Sequence, residues 1–144
     1  MIWFNKKEKK EEINSPDKMS PIEAVTHLCA SIQISDGQVD YEEKKSWLKT
    51  IKKLFPEFSE ERADRFLHDA YNIFREKDSF EKKIYIQQIL NRIKVLLNED
   101  QLNLLGAGLS ELIVSDGIIM TSEIEVAKTI ESELNISIKV DEGK

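Results

Sequence analysis

The stretch Ser35-Asp36-Gly37-Gln38-Val39-Asp40-Tyr41-Glu42-Glu43 decides how this chain is read. It returns eighty residues later as Ser115-Asp116-Gly117-Ile118-Ile119-Met120-Thr121-Ser122-Glu123. Both copies read Ser-Asp-Gly-x-aliphatic-x-x-x-Glu. Each follows one segment of helical apolar periodicity and opens another. Gly37 supplies the left-handed backbone that ends a helix, and Asp40 with Glu43 has the spacing of a capping box. Each copy therefore reads as the corner of a helix–loop–helix unit.

The repeat extends outward without a gap. A shift of eighty puts Ile22 on Leu102, Val25 on Leu105, Cys29 on Leu109, Ile32 on Leu112, Ile34 on Val114, Val39 on Ile119 and Leu54 on Leu134. Apolar positions recur at helical spacing, while most polar positions differ. The period is too long and the copies too few for a solenoid. The expected fold is all-α: a compact bundle of about six or seven helices containing two pseudo-symmetric helix–loop–helix units.

Composition agrees. The chain has 144 residues, the size of one domain that can bury a core without disulfides or metal. Charged residues make up 33%, with 5 Gly and 3 Pro, as in a helical protein. The net charge of −6 lacks the basic footprint of general nucleic-acid binding, so no nucleic-acid partner is expected. Cys29 has no second cysteine to pair with. On an apolar helix face it reads as a buried, reduced thiol, which points to the cytoplasm. No apolar run approaches the roughly 20 residues that span a bilayer. Met1-Ile2-Trp3-Phe4 is too short for a signal peptide.

Three regions follow: a charged tail over 1–19, a helical domain over 20–135 and a C-terminal tail over 136–144. In the first tail, Ile2, Trp3 and Phe4 precede Lys6, Lys7, Lys9 and Lys10. One reading rests these aromatics on the domain. The other is a weak peripheral membrane contact through residues 1–10, at the inner face of the membrane.

Ser20, Pro21 and Glu23 start the first helix, whose inward face is Ile22, Val25, Leu28, Cys29 and Ile32, with His27 beside it. The second buries Trp47, Leu48, Ile51 and Leu54 and turns Lys44, Lys45, Lys49, Lys52 and Lys53 to solvent. Ser59 caps the third, which buries Ala63, Phe66, Leu67, Ala70 and Phe74. Asp78 and Glu81 box the start of the fourth. Its broad face of Phe80, Ile84, Leu90, Ile93 and Leu97, widened by Ile86 and Ile89, reads as a central, buried helix. Asn98 caps the fifth, which carries Leu102, Leu105, Leu109, Leu112 and Ile113 inward. Gly106 and Gly108 cost this helix about 1 kcal/mol each, which close approach of a neighbouring helix would offset. The sixth follows the second motif with Ile124, Ala127, Ile130 and Leu134. Residues 136–140 alternate as a short extended piece.

An EF-hand loop has Asp-Gly at positions five and six, an aliphatic at eight and Glu at twelve. Both motifs fit that half. The residues at positions one and three would be Ile32 and Ile34, or Leu112 and Val114, and these cannot ligate calcium. An EF-hand is excluded.

With its paired Ser35-Asp36-Gly37-x-Val39-x-x-x-Glu43 and Ser115-Asp116-Gly117-x-Ile119-x-x-x-Glu123 motifs between amphipathic helices, the chain resembles the TerB-like family. That family is known from tellurite-resistance TerB proteins and the N-terminal domain of DjlA-type co-chaperones. The resemblance spans about 20–135. It implies a helical bundle with internal pseudo-symmetry and an acidic cluster for a divalent cation (Ca, Mg, Mn or Zn). It also implies a non-catalytic role in stress response, often beside membrane-associated complexes. Residue by residue, it implies Asp36 and Glu43 from the first copy and Asp116 and Glu123 from the second as metal ligands. Asp40 adds a carboxylate in the first copy, where the second has Met120, so the halves are not expected to bind alike.

The same residues have a purely architectural reading. Glu43 then completes a cap, Asp36 bonds loop N–H groups, Gly37 turns the chain, and the module is a protein or membrane-surface scaffold without metal. Catalysis finds little footing. No Ser/His/Asp order, Cys–His pair, HExxH or phosphate-cradling glycine loop is present. A carboxylate-only metal hydrolase is the one enzymatic alternative. The expected partner is a protein.

Overall fold

The computed structural model describes residues 15–33, 41–114 and 121–138. They form a short 3-10 turn (Pro16–Lys18) and six helices: α1 (Pro21–Gln33), α2 (Tyr41–Leu54), α3 (Glu60–Arg75), α4 (Ser79–Leu96), α5 (Glu99–Val114) and α6 (Thr121–Leu134). There is no strand among the described residues. The fold is the compact all-helical bundle that the sequence predicts.

The helices begin where short polar side chains satisfy free backbone N–H groups. Glu23 N donates to Ser20 Oγ, and Ser20 N donates back to Glu23 Oε1. Ser59 Oγ accepts from Arg62 N. Asp78 and Glu81 close a full capping box, and Asn98 and Gln101 make the same reciprocal pair. The last helix ends on Asn135, whose φ of 57° is the left-handed turn that asparagine tolerates. The chain then folds back. Ile138 N donates to Glu131 Oε2 at 2.7 Å, and the Ile138 side chain is buried. At the other end Met19 is fully buried and its carbonyl accepts from Arg92 Nε at 2.9 Å. Packing thus continues past both ends of the 20–135 span.

The central helix is α1, not α4. Every residue from Glu23 to Ile32 is buried, and α1 touches each of the other five helices. The physical reason is charge: within α1 only Glu23 is ionic at neutral pH, so no side of it needs water. The expected face of α4 holds at Ile86, Ile89, Leu90, Ile93 and Leu97 and fails at its N-terminal end. Tyr85, Ile86, Ile89, Leu90 and Ile93 are buried, whereas Phe80 and Ile84 are exposed. This helix has apolar residues on most of its circumference, so spacing alone cannot select the buried set.

The repeat is structural. α2 and α6 are both 14 residues long and begin eighty residues apart. Val25 and Leu105, Cys29 and Leu109, Ile32 and Leu112, and Leu54 and Leu134 are buried at equivalent places. The two units also interlock, since α2 packs chiefly on α5 and α1 touches α6. Gly108 makes the first contact possible: a Cβ there would collide with the Thr50 side chain. Gly106 has a different reason from the helix approach expected of it. A Cβ there would lie 2.8 Å from the Ser137 carbonyl oxygen, so this glycine admits the returning C-terminal segment.

Candidate functional site

The two motif loops join α1 to α2 and α5 to α6. Asp36, Asp40 and Asp116 lie outside the described residues, as do the side chains of Glu43 and Glu123, whose backbones fall in the first turns of α2 and α6. Among the described residues no group of three or more His, Cys, Asp or Glu side chains is placed to hold a metal ion. The structure does fix what leads into both corners. Trp47 Nε1 donates to Thr26 Oγ1 at 3.3 Å, tying α2 to α1 below the first loop. Thr50 rests against Gly108, and Lys49 pairs with Glu111 at 3.4 Å, tying α2 to α5. Both partners in that ion pair are half exposed, so it contributes little beyond alignment.

One buried polar group was not read as such in the sequence. His27 is fully buried on α1, and its Nδ1 lies 3.1 Å from the Tyr85 hydroxyl on α4. Burial lowers the His27 pKa to about 4, so the ring is neutral and shares one hydrogen bond with the Tyr85 hydroxyl, its direction following the ring tautomer. Burial also raises the Tyr85 pKa, and the nearby Glu23 charge raises it further. Lys77 Nζ lies 4.9 Å from the centre of the Tyr85 ring. His27 Nε2 has no hydrogen-bond partner among the described atoms. His27 and Tyr85 are 58 residues apart, and neither sits in a motif, so no local signal joins them.

Nothing in this polar pair resembles a nucleophile with its base. Cys29 is fully buried, and burial pushes its pKa up to about 12, leaving an inert thiol. His68 is exposed on α3. Tyr85 and His27 act as a fastening between α1 and α4. No described helix is long and apolar enough to cross a membrane. No protein-family model, curated protein or solved structure matches the chain.

Proposed function

We propose that this chain is a non-enzymatic helical module of the TerB-like kind whose paired acidic corners take up a divalent cation, a protein partner or both. The observation that carries the reading is the equivalence of the two units in burial and in the length of the helix that follows each motif, which makes the two motifs counterparts and not a chance recurrence. The contacts of α2 with α5 add support. Thr50 meets Gly108, while the preceding Lys49 meets the later Glu111, the order expected of antiparallel helices. An antiparallel pair would bring the loop before α2 and the loop after α5 to one end of the bundle. In this reading the carboxylates of Asp36, Asp40, Glu43, Asp116 and Glu123 act together at that end. Carboxylates so gathered repel one another unless a cation neutralises them. A cytoplasmic place and a stress-response role belong to the same reading, through the resemblance.

Thermal unfolding of the chelated protein tests it, with Ca²⁺, Mg²⁺, Mn²⁺ or Zn²⁺ restored separately. A cation at 100 times its Kd adds about 2.7 kcal/mol, seen as a rise of a few degrees in Tm. The rise should saturate and should vanish in Asp36→Asn with Asp116→Asn. No rise with any of the four ions sinks the metal reading. The second reading is a scaffold whose lysine face on α2 docks an anionic partner. It is favoured by the exposure of Lys45, Lys49, Lys52 and Lys53 on that helix.

A further inference from the structure

Three large apolar side chains stand on the outside of α4: Phe80, Ile84 and Val95, at 70%, 46% and 75% exposure. With Gln88 and Asn91 between them they fall at successive spacings of four, four, three and four, which is a single stripe along a helix. Phe80 and Ile84 are neighbours on this stripe, and Val95 stands beyond the polar Gln88 and Asn91, so the face has an apolar site at each end. The start of the described chain marks what covers it. Ser15, Pro16 and Asp17 form one wall of a groove of about 360 Å³, and Gln88, Asn91, Arg92 and Val95 form the other. The bond from Arg92 to Met19 pins that turn against α4. Ser15, the first described residue, therefore stands toward the Val95 end of the stripe.

We propose that the outer face of α4 is a docking surface for the chain's own first fourteen residues. Ile13 meets Val95, and Ile2-Trp3-Phe4 meets Ile84 and Phe80. The lengths agree. Val95 to Phe80 is about 22 Å along an α-helix. The nine residues from Ile13 back to Phe4 reach about 30 Å extended, so the apolar end arrives without strain. Charge is not what holds it: α4 carries Lys82, Lys83, Arg92 and Lys94 against Glu81 alone, so the apolar side chains at the two ends of the segment carry the docking. The face takes this segment because the segment is tethered at its rim, which gives it a high effective concentration over any free partner.

Limited trypsin digestion of the full chain reads the proposal at Lys6, Lys7, Lys9 and Lys10. Docking should slow cleavage there about tenfold or more against a free peptide of residues 1–14, because cleavage follows the undocked fraction. Phe80→Ser with Ile84→Ser should return it to the peptide rate, with Tm lowered by no more than a few degrees and the melt still cooperative. The reciprocal Trp3→Ser with Phe4→Ser, which alters no described residue, should lose the protection equally. Cleavage of the native chain at the peptide rate overturns the proposal. Protection that survives both double substitutions overturns it too. Protection that fades on dilution alongside a dimer in sedimentation would give the face to a second copy of the chain instead.

Discussion

His27 trades solvent for a single bond to Tyr85, and that exchange makes stability depend on pH. Its folded pKa of about 4 lies below the ordinary 6.5, so the unfolded chain binds the proton more tightly. The stabilisation is fully present above pH 6.5 and is lost progressively as pH falls toward 4. A shift of this size amounts to about 3 kcal/mol in all, and about 2 kcal/mol of it falls above pH 5, before most carboxylates titrate. Urea unfolding between pH 7 and 5 should show that decline in the native chain and a much flatter line in His27→Gln. Equal slopes would mean that the ring is not held neutral by burial. Gly108 offers a second test at this scale. Alanine normally gains about 1 kcal/mol over glycine inside a helix. Here Gly108→Ala should instead lose about 1–3 kcal/mol, because the new methyl meets Thr50. Thr50→Ala in the same chain should recover most of the loss. Additive losses in that double-mutant cycle would place the cause elsewhere.

Helix ends were easier to read than helix faces. The pairs Ser20–Glu23 and Asp78–Glu81 are local chemistry: a short acceptor, then a longer one three residues on, each meeting the other's backbone N–H. Such a bond depends on no distant residue, so four residues of sequence suffice. Asp78→Ala should cost about 1 kcal/mol in chemical denaturation. Faces depend on which neighbour arrives. α1 lacks charge and so can be enclosed on every side, but its five neighbours come from the whole chain. α4 misled because Phe80 and Ile84 share its helical spacing with Ile89 and Ile93 but face the other way. A comparison makes the difference measurable: Phe80→Ser should cost no more than about 1.4 kcal/mol, the worth of a tenfold docking, whereas Ile89→Ala should cost about 2–5 kcal/mol. The candidate site was legible as a repeated motif because its residues are close in sequence. The His27–Tyr85 fastening was not, because only the finished packing brings 27 and 85 together.

At the scale of the molecule, the repeat suggests two halves, but the packing denies them independence. α2 leans on α5 from the other unit, and α1 is enclosed by partners from both sides of α3. A cut between Lys77 and Asp78 leaves α1 without α4, α5 and α6, and so uncovers a helix buried from Glu23 to Ile32. The second piece loses α1 and α2, whose Val25, Leu28 and Ile51 share one core with Leu105, Leu109 and Ile130. Pieces of about sixty residues bury only about 60% of their unfolded surface even when well designed. Helices of α2's and α6's length are marginal alone in water. Fragments 15–77 and 78–138 should therefore each show weak circular dichroism and no cooperative melt. Mixed, they should regain helicity, and the intact chain should unfold in one transition seen alike by Trp47 fluorescence and far-UV signal. A cooperative melt in either fragment would show that the units are self-sufficient and that their interlocking is incidental. The dependence bears on the proposed cation as well. An ion held by both corners would stabilise a single folding unit, so the intact chain should shift as a whole, and neither fragment alone should respond to the ion.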